Sequence, residues 1–383
     1  MKLNLLKAAC LSVACFVSAQ VVGQTVTTPP GGGNQRSIVT QYIGSLVTVS
    51  IDYNSPDVHA PNGDDRRGQI WGQLVPYGMT NLGFGPATES PWRAGANQNT
   101  VFTVSHDVQV QGKDLKAGAY GLHVIVEETG PWTIIFSNNS TAWGSFFYDP
   151  TQDALRVEAT PEDGDYTEWL TYEFVDRQPE QTTVALKWEE KMLPFTISIP
   201  NATDMYVANM RNELQNVAGF NWQGWAAAAN YCATNNVNLE EALTWADNGI
   251  SAPFIGQQNW ATLSAKAAVL NALERTDEAI AVMDMAVNDP TATPFAVHAY
   301  GRRLITQGQK EKALEIFKLN QKNNDGAWPT NYGLARGYSA VGDFKNALKY
   351  LKMAKDNVPA NDTVNPPIIE ANIKKLENKE DIN

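Results

Sequence analysis

The stretch Gly342-Asp343-Phe344-Lys345-Asn346-Ala347-Leu348-Lys349-Tyr350-Leu351 decides half of the fold. Its counterpart, 34 residues upstream, is Gly308-Gln309-Lys310-Glu311-Lys312-Ala313-Leu314-Glu315-Ile316-Phe317. In both, glycine is followed after five residues by alanine and after four more by a large apolar side chain. A third copy places Ala279 and Met283 at the same spacing, with Glu274 where the glycine would stand. The glycine marks a turn between two helices. The alanine marks a helix contact too close for a larger side chain.

A 34-residue period of helix pairs, with Pro359 after the last one, resembles the tetratricopeptide repeat. The resemblance covers 259–361 as three units and implies a stacked helical array that presents a surface to a peptide or protein partner. The match departs from the family pattern at its opening tryptophan, where Leu263, Val297 and Asn331 stand, and at Asp325, where a closing proline is missing. Upstream, 201–258 reads as an irregular helical pair, because Ala242 lies 37 residues before Ala279. Downstream, 362–383 reads as a capping helix and tail, with Ile369, Ile373 and Leu376 forming its apolar stripe.

Before Pro200 the period changes from helical to two. Val47, Val49, Ile51 and Tyr53 alternate with Thr48, Ser50 and Asp52, as in a strand with one buried face. Comparable runs occupy 100–105, 120–126, 132–136, 154–159, 169–175, 183–188 and 195–199, separated by turn residues such as Gln111-Gly112. Short strands at this spacing predict two packed antiparallel sheets over 37–200. The expected fold is therefore multidomain, an all-β antiparallel sandwich followed by an all-α tetratricopeptide-like helical array.

Within the β region, Gly68-Gln69-Ile70-Trp71-Gly72 is followed by Trp92-Arg93-Ala94-Gly95-Ala96-Asn97. Lys116-Ala117-Gly118-Ala119-Tyr120-Gly121-Leu122, Trp132-Thr133-Ile134-Ile135-Phe136 and Trp143-Gly144 come next. In this order they resemble the family catalogued as domain of unknown function 2911, over about Gln35 to Ile199. The resemblance implies an exported bacterial β-sandwich domain and carries no reaction with it.

The first 19 residues have the pattern of a signal peptide: Lys2 and Lys7, an apolar run from Ala8 to Val17, then Val17-Ser18-Ala19. The run is too short to span a bilayer. Neither Cys10 nor Cys15 follows a leucine at the spacing of a lipoprotein signal, so the expected location is periplasmic or extracellular, without a lipid anchor. A Thr/Pro/Gly linker then covers 20–36. With the signal removed, Cys232 is the single remaining cysteine and no intramolecular disulfide can form. The full chain has a formal charge of −12. Loss of Lys2 and Lys7 leaves 27 basic against 41 acidic side chains, or −14. Such a surface disfavours nucleic acid as a partner.

The candidate ligand-binding residues are Trp92, Arg93, Asn97, His59 and His123. Arg93 offers a five-donor guanidinium beside a stacking tryptophan and an amide, which suits a small polar ligand or a carbohydrate. The structural alternative is that Arg93 ties loops together through backbone carbonyls while Trp92 fills the core edge. His59 lies in the Pro/Gly-rich stretch 54–68, and a second such stretch covers 76–91. No serine-hydrolase elbow, phosphate loop, dinucleotide fingerprint or metal-ligand motif is present, so no catalytic residue, metal or cofactor is assigned. The leading reading is a non-enzymatic binding or interaction protein. The alternative is an extracytoplasmic hydrolase or isomerase acting on a carbohydrate or small acid, which would require His59, His123 and Arg93 to converge.

Overall fold

A computed structural model describes residues 33–324 and 327–383. The chain divides into two compact units between Pro200 and Asn201. The signal-peptide stretch lies outside the described residues, as does most of the 20–36 linker.

The first unit is two antiparallel sheets. Strands β1 (Gln35–Ile43), β2 (Val47–Ser55), β3 (Thr100–Val104), β6 (Gly118–Ile125), β7 (Trp132–Ser137) and β8 (Asp153–Ala159) form one sheet in the order β1-β2-β3-β6-β7-β8. Strands β4 (Val108–Val110), β5 (Lys113–Leu115), β9 (Glu162–Gln178) and β10 (Gln181–Ser198) form the other, in the order β5-β4-β10-β9. The alternation in β2 is obeyed: Val47, Val49 and Ile51 are fully buried. Edge-to-face rings join the layers, with Tyr53 against Tyr172 at 4.9 Å and Phe136 against Phe195 at 6.4 Å. Such pairs stabilise beyond the area they bury.

Three local features differ from the sequence expectation. β1 precedes the first expected strand; its long register with β2 leaves one face to solvent, so its burial pattern is weak. The Gln111-Gly112 turn joins two short paired strands, and both its residues have positive φ (50° and 75°), the backbone of a tight hairpin. The runs at 183–188 and 195–199 are one strand, β10, carried across register shifts around Glu189. Glu189 itself has φ 54°, and its buried carboxylate accepts the backbone N–H of Gly68.

The second unit is helical throughout. Three helices, α1 (Ala202–Glu213), α2 (Trp222–Asn235) and α3 (Leu239–Ser251), occupy the region read as an irregular pair. The three repeat units are the pairs α4 (Trp260–Ala272) with α5 (Thr276–Ala286), α6 (Pro294–Thr306) with α7 (Lys310–Asn323), and α8 (Trp328–Ala340) with α9 (Phe344–Asn357). A final helix, α10 (Asn365–Glu377), packs on α9. Ala279, Ala313 and Ala347 are at most 1% exposed, which explains why the period is marked by alanine. Phe317 shows the same logic from the large side. A Cβ on Gly301 would lie 2.4 Å from its ring, and Cβ atoms on Gly333 and Gly337 would lie 2.6 and 2.8 Å away. The ring is a wedge between α6 and α8.

The inter-helix turns explain the repeated glycine. Gly308 and Gly342 have φ +79° and +82°, and Glu274 holds the equivalent turn at φ 60°. A side chain in this region costs roughly 1–2 kcal/mol, partly offset by the greater unfolded-state freedom of glycine. Glu274→Gly is therefore expected to stabilise the helical unit by about 0.5–1 kcal/mol, read as a higher urea midpoint; an unchanged or lower midpoint would refute strain at this turn.

Candidate functional site

The segment Trp92 to Asn97 is a knuckle tied to four strands. Trp92 exchanges backbone hydrogen bonds with Val124 of β6, and Ala96 N–H donates to the Asn54 carbonyl of β2. The Ala94 carbonyl accepts from Thr100 Oγ1 of β3 and from the buried Tyr172 hydroxyl of β9. Ala94 and Asn97 both have positive φ, and a Cβ on Gly95 would come within 2.6 Å of Thr100 Oγ1. Backbone held this far from its preferred region persists only where its surroundings over-determine it.

The aromatic face of Trp92 is spent inside the protein. It lies parallel to the Trp188 ring at 6.1 Å and edge-to-face with Trp71 at 5.7 Å. Trp71 also meets Trp132 at 4.9 Å and Trp188 at 5.8 Å, so four tryptophans far apart in sequence form one cluster. Arg93 donates from Nη1 to the Asn97 carbonyl at 2.8 Å and lies over the Phe146 ring at 5.2 Å. Its guanidinium rests on Gly144, where a Cβ would come within 2.7 Å. This is a loop-tying arrangement, and its product is a fixed position for Asn97.

His123 is 2% exposed and shares a 2.9 Å hydrogen bond with Ser145 Oγ. The loop that carries Ser145 and Tyr148 covers the outer face of β6 and β7, and Ala87 from the 76–91 stretch packs there against Ile135 and Tyr148. The recess beside His123 measures about 10 Å³, too small to admit a substrate. His59 keeps different company. Its Nδ1 lies 3.0 Å from Glu168, its backbone N–H donates to the same carboxylate, and Nε2 is 3.9 Å from Asp65. Arg66 ties this loop down further by donating to the Val58 and Asp57 carbonyls. The structure thus assembles Arg93 with His123 under one loop, and His59 with Glu168 on β9. Among the described residues no group of three His, Cys, Asp or Glu side chains is placed to hold a metal ion. Cys232 is buried, and burial pushes its thiol pKa up.

Buried imidazoles set a pH dependence. Burial, and secondarily the Arg93 charge, lower the His123 pKa to about 4. Burial likewise lowers His298 to about 4, against the opposing effect of its bond to the Pro329 carbonyl. Both rings are neutral in the folded chain and take up a proton near pH 6.5 once unfolded, so acid favours unfolding. Stability should be full above about pH 6.5 and fall toward pH 4, by on the order of 3 kcal/mol per ring. Asp65, Glu168 and Glu241 are held at about 2, so the stability they add is full above the ordinary carboxylate range and is lost as pH falls through that range toward 2, below most of the window set by the imidazoles. Urea midpoints between pH 7.5 and 4.5 should therefore drop in the wild type and drop less in His123→Asn; equal slopes would contradict this assignment.

A larger opening lies beside the knuckle. A cleft of about 860 Å³ is lined by the amides Asn34, Gln35, Asn54, Asn97, Gln98 and Asn99, with Trp143 at its rim, 51% exposed. Of the five candidates named from sequence, Asn97 alone lines it. The remaining wall was legible only in part: Asp52 belongs to the outward set of the β2 alternation, but the contribution of 140–143 depends on how that loop folds back.

In the helical unit a second surface crosses from α6 to α8. Phe295, 60% exposed, meets Trp328 edge-on at 5.8 Å, and Trp328 leads to Tyr332 and His298. Arg336 lies over the Tyr332 ring at 4.8 Å, and Arg302 is close enough to lower its pKa and that of His298. Arg302 and Arg336 are one repeat apart. Among the described residues Arg302 has no carboxylate partner. Arg336 already donates to a peptide carbonyl, that of Ile382, in the chain's own Asp381-Ile382-Asn383 segment.

No curated protein matches the chain. Solved structures that resemble it include YrrB, described as a TPR protein with an unusual peptide-binding site. It is 20% identical, over 46% of this chain and 84% of the other, with a TM-score of 0.30. A tetratricopeptide repeat protein from Parabacteroides merdae is 17% identical over 46% and 65%, with a TM-score of 0.32. PilW, a type IV pilus biogenesis factor, is 20% identical over 46% and 79%, with a TM-score of 0.33. Residues 34–197, within the β unit, match the family described as Protein of unknown function (DUF2911).

Proposed function

We propose that this is an exported binding protein without catalytic machinery, whose helical unit holds a segment of a partner protein and whose β unit holds a small polar ligand. The observation that carries the partner-binding half is the α6–α8 surface, where the exposed Phe295 ring meets the half-buried Trp328 and α6 also carries Arg302, an exposed cation with no carboxylate of its own among the described residues. In a chain with 41 acidic side chains, a cation without a carboxylate partner among the described residues, on a surface that also exposes an aromatic ring, suits an extended peptide bearing a carboxylate. Export rests on Lys2, Lys7 and the apolar run that ends at Val17-Ser18-Ala19. No helix among the described residues is long and apolar enough to cross a membrane.

Fluorescence anisotropy with a labelled hexaglutamate peptide tests the partner surface. The wild type should bind it in preference to hexalysine, and Arg302→Glu should weaken binding about tenfold or more. Equal binding of the two peptides, or indifference to the substitution, would remove this reading. Intact-mass analysis of the protein recovered from a secreting host tests export, with Gln20 expected as the first residue.

A further inference from the structure

We propose that the amide-lined cleft of the β unit is a saccharide site, selective for neutral, polyhydroxylated ligands. This deepens the small-ligand half of the function proposed above and rests on it; the partner surface depends on other residues in the other unit. The volume, about 860 Å³, falls within the range of small-ligand sites, roughly 300–1,000 Å³.

Charge bookkeeping favours a neutral ligand. The ionised side chains on the wall are Arg36 and Asp52, and they neutralise each other: Arg36 Nε donates to Asp52 Oδ1 at 2.7 Å, and Nη2 donates to Oδ2. Apart from the Trp143 indole, the other polar side chains on the wall are hydroxyls and primary amides. An amide offers two donors and an acceptor, the combination needed to pair with a hydroxyl that both gives and takes a hydrogen bond.

Those amides are also held in place while keeping capacity unspent. Asn34 Nδ2 donates to Asn97 Oδ1 at 3.3 Å, and Asn54 Nδ2 donates to Gln98 Oε1 at 3.1 Å. Each pair leaves an NH2 group, on Asn97 or Gln98, and a carbonyl oxygen, on Asn34 or Asn54, with no further partner among the described residues. Asn99, 5% exposed, donates to the Asn139 carbonyl, and its buried Oδ1 has no partner among the described residues. Polar groups arranged this way gain most from a ligand that replaces water with fixed hydroxyls. Trp143 supplies an apolar face for the C–H side of a sugar ring. Arg93 has a positioning role here, because its bond to the Asn97 carbonyl holds that residue at φ 56°.

The test uses the full chain and follows tryptophan emission and calorimetric heat with maltohexaose, cellohexaose and xylohexaose, and with hexagalacturonate as the charged counterpart. At least one neutral hexasaccharide should bind at or below about 10 mM. Trp143→Ala, at an exposed position, should weaken that binding about tenfold or more, and Gln98→Ala less. Absence of any neutral binder at that concentration overturns the proposal, as does binding that Trp143→Ala leaves unchanged or a preference for hexagalacturonate. A response to amino acids or small organic acids in place of sugars, lost in Trp143→Ala, overturns the saccharide assignment while sustaining the small-ligand reading. Hexaglutamate binding should be the same in Trp143→Ala as in the wild type.

Discussion

Phe317→Ala should cost the helical unit about 3–5 kcal/mol, the loss typical of a large aromatic side chain deleted from a packed core. The ring is fully buried and fills a wedge that three glycines, Gly301, Gly333 and Gly337, leave open for it. None of the three carries a side chain that could swing into the vacated space, so relaxation is limited and the cavity term stays large. Urea unfolding followed by far-ultraviolet circular dichroism should show the helical transition at a markedly lower midpoint. A loss below about 1 kcal/mol would mean that α6 and α8 close over the gap, contrary to the wedge. The complementary substitution, Gly301→Ala, should also destabilise, because its new methyl group falls within the ring's contact distance.

Trp188→Ala should cost a similar amount, about 3–5 kcal/mol, in the β unit. Trp188 is 1% exposed and touches Trp71 and Trp92, and through Trp71 it connects to Trp132. These rings come from β7, β10 and the long excursion between β2 and β3, so their removal loosens the loop as well as the sheets. The near-ultraviolet dichroism of the stacked rings should collapse together with the stability. A variant that keeps that signal and its midpoint would show that the cluster is not a structural element. The knuckle at Arg93 and Asn97 depends on Trp92, so the same variant should reduce ligand binding at the neighbouring cleft.

The two-part architecture was legible because each half is written in a periodic pattern. The helical half repeats every 34 residues, and its markers have local causes: a left-handed turn at Gly308 and Gly342, and close helix contact at Ala279, Ala313 and Ala347. The β half alternates with period two through β2, and the inward set is the buried one. β1 carries no clear period-two signal because an edge strand with a solvated face needs no strong apolar alternation. β10 was divided because a positive-φ glutamate interrupts its alternation, and the hydrogen bond from Gly68 that satisfies this glutamate comes from 121 residues away.

The candidate site divides along the same line. Chemistry-bearing residue types were visible in Trp92-Arg93-Ala94-Gly95-Ala96-Asn97, but their orientations were not. Whether Arg93 faces a ligand or a carbonyl is decided by Gly144 and Phe146, which approach from a loop some 50 residues downstream. His123 was readable as a strand residue, yet its burial depends on that same loop covering the outer face of the sheet. The Asn and Gln side chains of the cleft come from three separate stretches and have no spacing of their own, so no local pattern announces them.

By itself, then, the sequence determined the properties that follow from short-range periodicity and composition: two units of different secondary structure, the repeat length, the turn positions and the acidic surface. Only the tertiary structure decided which polar groups are spent and which remain free, since hydrogen-bond satisfaction and burial are set by partners distant along the chain. Arg93 and Trp92, the most conspicuous residues in the sequence, are consumed in holding the knuckle. The amides beside Trp143 keep hydrogen-bonding capacity, and Arg302 has no carboxylate partner among the described residues.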